Sequence, residues 1–236
     1  HCDRRMKKKD LALDLLEMAL LRRDEPVALA SALIALDRLA TQRPDHALAH
    51  YASGRILLVL GKYQLALGAF RVALEHDTTL YEAHYFEGIC HWMLGYDERA
   101  LAKLRDASDL APDRFEPFYD MGQIHANRGE NILALDAFEL AHARAPGDFA
   151  TLKKLLQQQI RNGYWEAARN SHRELRRVWA ESQDPAVASL ESYVLDQFEI
   201  DDRDVLALET FTPRGDPQVL MSFAVTEGGR LVFSVN

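Results

Sequence analysis

Apolar and small residues recur through the middle of this chain at a fixed interval. Gly54, Gly88 and Gly122 stand 34 residues apart, and Gly61, Gly95 and Gly129 repeat the interval. Ala66, Ala100 and Ala134 follow in phase, as do Ala73, Ala107 and Ala141, with Phe70, Leu104 and Phe138 between them and Pro112 and Pro146 beyond. A period of this length marks one supersecondary unit copied along the chain, a pair of antiparallel helices. The residues that repeat are those that close packing requires. Gly54, Gly88 and Gly122 let the two helices of a pair approach, and Ala66, Ala100 and Ala134 sit where the second helix crosses the first. Gly61, Gly95 and Gly129 fall where the first helix must stop, a place that favours glycine because left-handed backbone costs it little. Pro112 and Pro146 end the second helix.

On these residues the chain resembles the tetratricopeptide-repeat family, whose pattern runs small residue, glycine turn, alanine, aromatic, alanine, proline over the same period. The regular units are Ala47–Leu80, Tyr81–Arg114 and Phe115–Asp148. The register extends back to Leu13–His46, where Ala32, Leu36, Leu39 and Pro44 keep phase and Asp24-Glu25-Pro26 replaces the glycine turn. It extends forward to Phe149–Ser182, where Gly163, Trp165 and Ala168 fit and His172 replaces an apolar residue. The resemblance implies a mainly α, helix-turn-helix solenoid of about five units over residues 13–182, the outer ones degenerate because one face meets water. Residues 1–12 are expected to form a charged tail.

After the repeats the alternation becomes period two. Residues 193–200, 205–211, 219–225 and 231–235 alternate apolar and polar positions, separated by Asp201-Asp202, Pro213-Arg214-Gly215-Asp216-Pro217 and Glu227-Gly228-Gly229. Residues 183–236 therefore read as a capping segment and an antiparallel β meander of about four strands, of no recognised family. The last strand ends the sequence without a closing turn. The favoured expectation is a sheet whose remainder is missing, and the other is a sheet completed by a second chain in a homodimer.

Charge narrows the partners. The chain carries 36 acidic against 28 basic residues, a net charge of −8, and from Asp184 onward only Arg203, Arg214 and Arg230 oppose a long series of acids. Such a surface repels phosphate backbones, so nucleic acid is not an expected partner. The basic run Arg4–Lys9 reads as a solvated tail. No apolar run approaches the roughly 20 residues that span a bilayer, so no membrane partner is expected. With only Cys2 and Cys90 there is no disulfide framework, and a cytoplasmic, bacterial-type setting is the expectation.

Catalytic chemistry leaves no trace. Phosphate-cradling loops, paired Cys-x-x-Cys, His-Glu-x-x-His and nucleophile elbows are all missing. His50 and His84 share one repeat position, and His91 and His125 share another, so repeat geometry explains their spacing better than metal ligation. No catalytic residue, metal or cofactor is expected. The informative feature is a ladder: Tyr51, Tyr85 and Tyr119 stand at one phase. The resemblance places them on the concave face lined by first helices, with Phe86, Ile89, Trp92 and Met93 beside the middle rung. Arg55, Gln123 and Asn127 add polar groups, and Lys153, Gln157 and Arg161 make the last unit basic.

Two explanations of the ladder compete. The tyrosines either cover the packing between adjacent first helices or form a groove that grips a peptide through broad, rigid rings. The second makes the chain a non-enzymatic scaffold for a protein or peptide ligand. Clamping of a terminal carboxylate by lysines and asparagines, as in the family's chaperone-tail subclass, is not expected, because Arg55, Phe86 and Gln123 stand around those places. Two further readings remain. The solenoid is the targeting arm of a ligand-binding or catalytic β domain truncated at residue 236, or the chain self-assembles through the sheet edge or the end of the last repeat.

Overall fold

The computed structural model describes residues 10–181, 221–225 and 231–235. Ten helices stand in the first stretch: α1 (Leu11–Leu21), α2 (Pro26–Gln42), α3 (Ala47–Val59), α4 (Tyr63–His76), α5 (Tyr81–Met93), α6 (Asp97–Leu110), α7 (Glu116–Asn127), α8 (Asn131–Arg144), α9 (Phe149–Arg161) and α10 (Trp165–Glu181). They fall into two compact units that divide after Arg144.

In the first unit α1/α2, α3/α4, α5/α6 and α7/α8 pack as hairpins, and α2, α4 and α6 each also pack on the first helix of the next pair. The alanines at the crossings, Ala66, Ala100 and Ala134, are fully buried, as are Phe70, Leu104 and Phe138 one turn along the second helices. The first-helix glycines lie against those larger side chains. A Cβ on Gly54 would stand 2.6 Å from the Phe70 ring and one on Gly122 2.8 Å from the Phe138 ring, while at Gly88 the nearest atom is Leu104 Cγ at 3.1 Å.

Each regular first helix ends alike. Gly61, Gly95 and Gly129 hold φ of 70, 78 and 75°. The residue after each donates its N–H back to the last turn: Lys62 to Leu57, Tyr96 to His91 and Glu130 to His125, all at 2.9 Å. These bonds, with that of the glycine itself, satisfy carbonyls that the helix end would otherwise orphan. A Cβ on Gly95 would meet no atom within 4 Å, so alanine there suffers only from the left-handed backbone. Gly95→Ala is expected to lose about 1–2 kcal/mol, and Gly95→Asn less, in chemical denaturation.

The second unit is described by itself. α9 begins at Asp148, whose carboxylate accepts from the Thr151 N–H at 2.7 Å and its hydroxyl at 2.6 Å, and α9 packs against α10 around Leu152, Leu156, Ala168 and Leu175. The unit also holds β1 (Met221–Val225) and β2 (Leu231–Val235), paired antiparallel with Phe223 opposite Phe233. The other expected strands, at 193–200 and 205–211, lie outside the described residues, as does the rest of the proposed meander.

Candidate functional site

The three tyrosines of one phase lie on α3, α5 and α7 and meet three different surroundings. Tyr51 is buried, its ring 6.2 Å from Phe70 and 6.3 Å from Phe86. Its hydroxyl accepts from Arg55 Nη1 at 2.9 Å, and the Arg55 guanidinium lies 3.6 Å over the centre of the Phe86 ring. Tyr51 and Arg55 thus cover Phe86 and tie α3 to α5. Tyr85 is half-buried, and its hydroxyl donates to Asp120 Oδ2 at 2.6 Å, linking α5 to α7. Tyr119, also half-buried, sets its ring edge-on to Phe138 at 5.7 Å.

Between these links the face stays partly open. Tyr85, Ile89, Trp92 and Tyr119 rest on a core that includes Leu101, Leu104, Met121 and Ile124, and all four keep part of their surface in solvent. Met93 and Asn127 are exposed beside them, and Gln123 is half-buried. The resulting surface combines aromatic rings with hydroxyl, indole N–H and amide groups, the composition that supplies contact area at low conformational cost.

Asp120 is the residue that sequence reasoning missed. It is buried, accepts from Tyr85 and, at 3.3 Å, from Gln123 Nε2. Removal from water pushes its carboxyl up to about 6, the two hydrogen bonds pull the other way, and nearby Glu116 adds to the rise. A signal was present: the same repeat position holds Ala52 and Phe86, and a carboxylate in an otherwise apolar register needs a partner. Glu87, buried between α5 and α6, was missed in the same way. Lys103 Nζ stands 3.1 Å from its Oε2, and the register neighbours of Glu87 are Ser53 and Met121.

In the second unit Lys153, Gln157 and Arg161 recur every four residues along α9, on one face of the helix. Lys154 joins them: burial lowers its pKa first, and the charges of Lys153 and Arg161 lower it further. Lys153, Lys154 and Arg161 together make this part of α9 basic.

The histidines follow the repeat. His50 Nε2 lies 2.9 Å from the Pro44 carbonyl and His84 Nε2 3.0 Å from that of Thr78, each fastening the loop six residues back. His91 sets its ring edge-on to Tyr96, and His125 Nδ1 lies 2.5 Å from Glu130 Oε2, so both reach the turn that follows their helix. Among the described residues no group of three or more His, Cys, Asp or Glu is placed to hold a metal. Nor is any described helix long and apolar enough to cross a membrane. Cys90 is a buried free thiol that burial, and then Glu87, push up to about 12.

No family model matches the chain. It is similar to mouse tetratricopeptide repeat protein 8, at 32% identity over 92 residues, which is 39% of this chain and 18% of that protein. The human protein of the same name is 28% identical over 120 residues, 51% of this chain and 22% of its own length. The match thus spans about a fifth of these relatives. Among solved structures, pilF of Pseudomonas aeruginosa gives a TM-score of 0.63 at 18% identity, covering 78% of this chain and 89% of that one. MamA gives 0.61 at 18% identity, covering 68% and 94%. YrrB, described as a tetratricopeptide-repeat protein with an unusual peptide-binding site, gives 0.56 at 20% identity, covering 77% and 90%.

Proposed function

We propose that this chain, a tetratricopeptide-repeat protein, is a non-enzymatic interaction scaffold that holds a peptide segment of a partner protein on the face formed by α3, α5 and α7. The observation that carries the reading is the partly open strip of Tyr85, Ile89, Trp92 and Tyr119, four large side chains anchored on the core and still reaching solvent. Arg55, Gln123 and Asn127 border the strip and supply hydrogen bonds for a peptide backbone. Tyr51 and Phe86 support it from below by fixing α3 against α5. The peptide-binding site of YrrB is a precedent for the same fold.

On the second unit, taken by itself, the basic face of Lys153, Lys154 and Arg161 with Gln157 beside it suits an acidic peptide stretch, held by charge-assisted hydrogen bonds that added salt weakens. The expected setting is the cytoplasm.

Selection from a displayed library of random 12-residue peptides tests the reading. Selected peptides are expected to carry apolar or aromatic anchors, and Trp92→Ala is expected to weaken their binding by about 1–2 kcal/mol. Folding should lose less than the roughly 3–5 kcal/mol of a core aromatic deletion. Peptides that bind the Trp92→Ala variant with undiminished affinity would sink the assignment of this face.

A further inference from the structure

A carboxylate lies buried beside the strip of Tyr85, Ile89, Trp92 and Tyr119. Asp120 is only 7% exposed, and both groups that donate to it are neutral: the Tyr85 hydroxyl at 2.6 Å and the Gln123 amide at 3.3 Å. Its carboxyl, pushed up to about 6, is ionised at pH 7.5. A buried carboxylate is normally matched by a cation. Among the described residues Asp120 joins no ion pair, and the charge that does reach it, Glu116, is of its own sign. The two arginines of this face are already engaged. Arg55 bonds the Tyr51 hydroxyl and covers Phe86, and Arg114 pairs with Glu116 while lying 5.6 Å over the ring of Tyr81. Tyr81 in turn stacks on Tyr85 at 6.0 Å. Each arginine thus rests a guanidinium on an aromatic ring, and Arg114 does so beside a carboxylate. Tyr85 and Asp120 offer the same pair of groups and are met by no cation of the described residues. Glu82, exposed in the first turn of α5, also joins no ion pair among them, and its charge reaches Tyr51 and Tyr81. Glu82, Tyr85, Ile89 and Trp92 stand at i, i+3, i+7 and i+10, one stripe of α5.

We infer that the peptide held on this face carries a basic side chain, arginine or lysine, seated beside the Tyr85 ring and against Asp120, with Glu82 adding attraction from the same stripe. The inference rests on the peptide-binding reading of α3, α5 and α7 and gives the ligand its charge. Gln123 holds Asp120 Oδ1 at 3.3 Å, beyond the usual range for such a bond. An arriving cation replaces that contact with a shorter, charge-assisted one. Tyr85 keeps Oδ2, so the ring stays where a cation can also meet its π face. Trp92 lies seven residues along α5 from Tyr85, roughly 10 Å of helix rise. An extended peptide covers that distance in about three residues. The basic residue and an apolar anchor on Ile89 and Trp92 are therefore about three positions apart in the ligand.

Peptides selected on the full chain from the random 12-residue library provide the test, sorted first by Trp92→Ala. Those that this variant weakens use the face, and a selection with no such peptide removes the face and this inference with it. The Trp92-dependent peptides are expected to carry an arginine or lysine about three residues from an apolar anchor. In one of them, exchanging arginine for citrulline, its uncharged isostere, or lysine for norleucine is expected to weaken binding about tenfold or more at pH 7.5. Asp120→Asn keeps an oxygen for the Tyr85 hydroxyl. It should weaken the charged peptide by a similar factor and leave the neutral one unchanged, a coupling that general attraction to an acidic protein does not give. Glu82→Gln should cost the charged peptide less. Three results overturn the inference while the peptide face stands: Trp92-dependent peptides without a basic residue, a neutral exchange that costs nothing, or an Asp120→Asn variant that treats the charged and neutral peptides as wild type does.

Discussion

Leucine in place of Gly122 is expected to cost about 2–3 kcal/mol of folding stability, the range for forcing extra methylenes into a filled junction. Even the first added carbon would stand 2.8–2.9 Å from three atoms of the Phe138 ring. That ring is fully buried, so it cannot swing away without opening the core between α7 and α8. Alanine replacements rank the three junctions. Gly54→Ala and Gly122→Ala are expected to destabilise by about 1 kcal/mol even after the helix gains roughly 1 kcal/mol from losing a glycine. Gly88→Ala should cost less than the other two, because its neighbours, Leu104 Cγ and Cδ2 at 3.1–3.2 Å and the Ala100 carbonyl oxygen at 3.3 Å, stand farther off than the rings. Urea denaturation of the three variants reads the order. Equal effects at all three positions would show that ring contact does not set the cost.

Asp120→Asn is expected to make the protein more stable at pH 8 and to lose that advantage in acid. Burial lifts the Asp120 carboxyl to about 6, against about 3.9 in an unfolded chain. The folded state therefore binds the proton more tightly. Its contribution is fully favourable below about pH 4 and is lost as the pH rises through about 6. A shift of about two units corresponds to about 2–3 kcal/mol. Asparagine keeps an oxygen for the Tyr85 hydroxyl, and the Gln123 amide can turn its carbonyl toward the new N–H₂. The difference between variant and wild type should thus shrink by about 2–3 kcal/mol from pH 8 to pH 4. A difference that stays constant over that range would mean that Asp120 is not titrating in a buried site.

The regular helices were legible because their signals are local and repeated. Each glycine stop, each crossing alanine and each following apolar residue says the same thing three times over, and the Asp24-Glu25-Pro26 turn stands where phase required it. Side-chain assignment along the face was less legible. Phase alone makes Tyr51, Tyr85 and Tyr119 equivalent, yet for Tyr51 and Tyr85 a residue one repeat further on decides what the ring does, while Tyr119 meets Phe138 of its own hairpin. Phe86 buries Tyr51, and Asp120 captures the Tyr85 hydroxyl. Such cross-repeat pairs depend on which side chains meet over 35 residues of sequence, information that a periodic pattern averages away. The division after Arg144 left no mark either, since Ala141 and Pro146 keep the register across it.

The central claim, that α3, α5 and α7 present a peptide-binding face, rests on side chains that are anchored and still solvent-facing. Titrating isotope-labelled protein with a selected peptide and following amide and side-chain resonances locates the contact directly. The account predicts that the Trp92 indole N–H and the Tyr85, Ile89, Tyr119 and Gln123 signals shift together and saturate at one affinity, while the signals of α2 stay in place. Shifts confined to other helices, with the Trp92 indole unmoved at saturation, would contradict it.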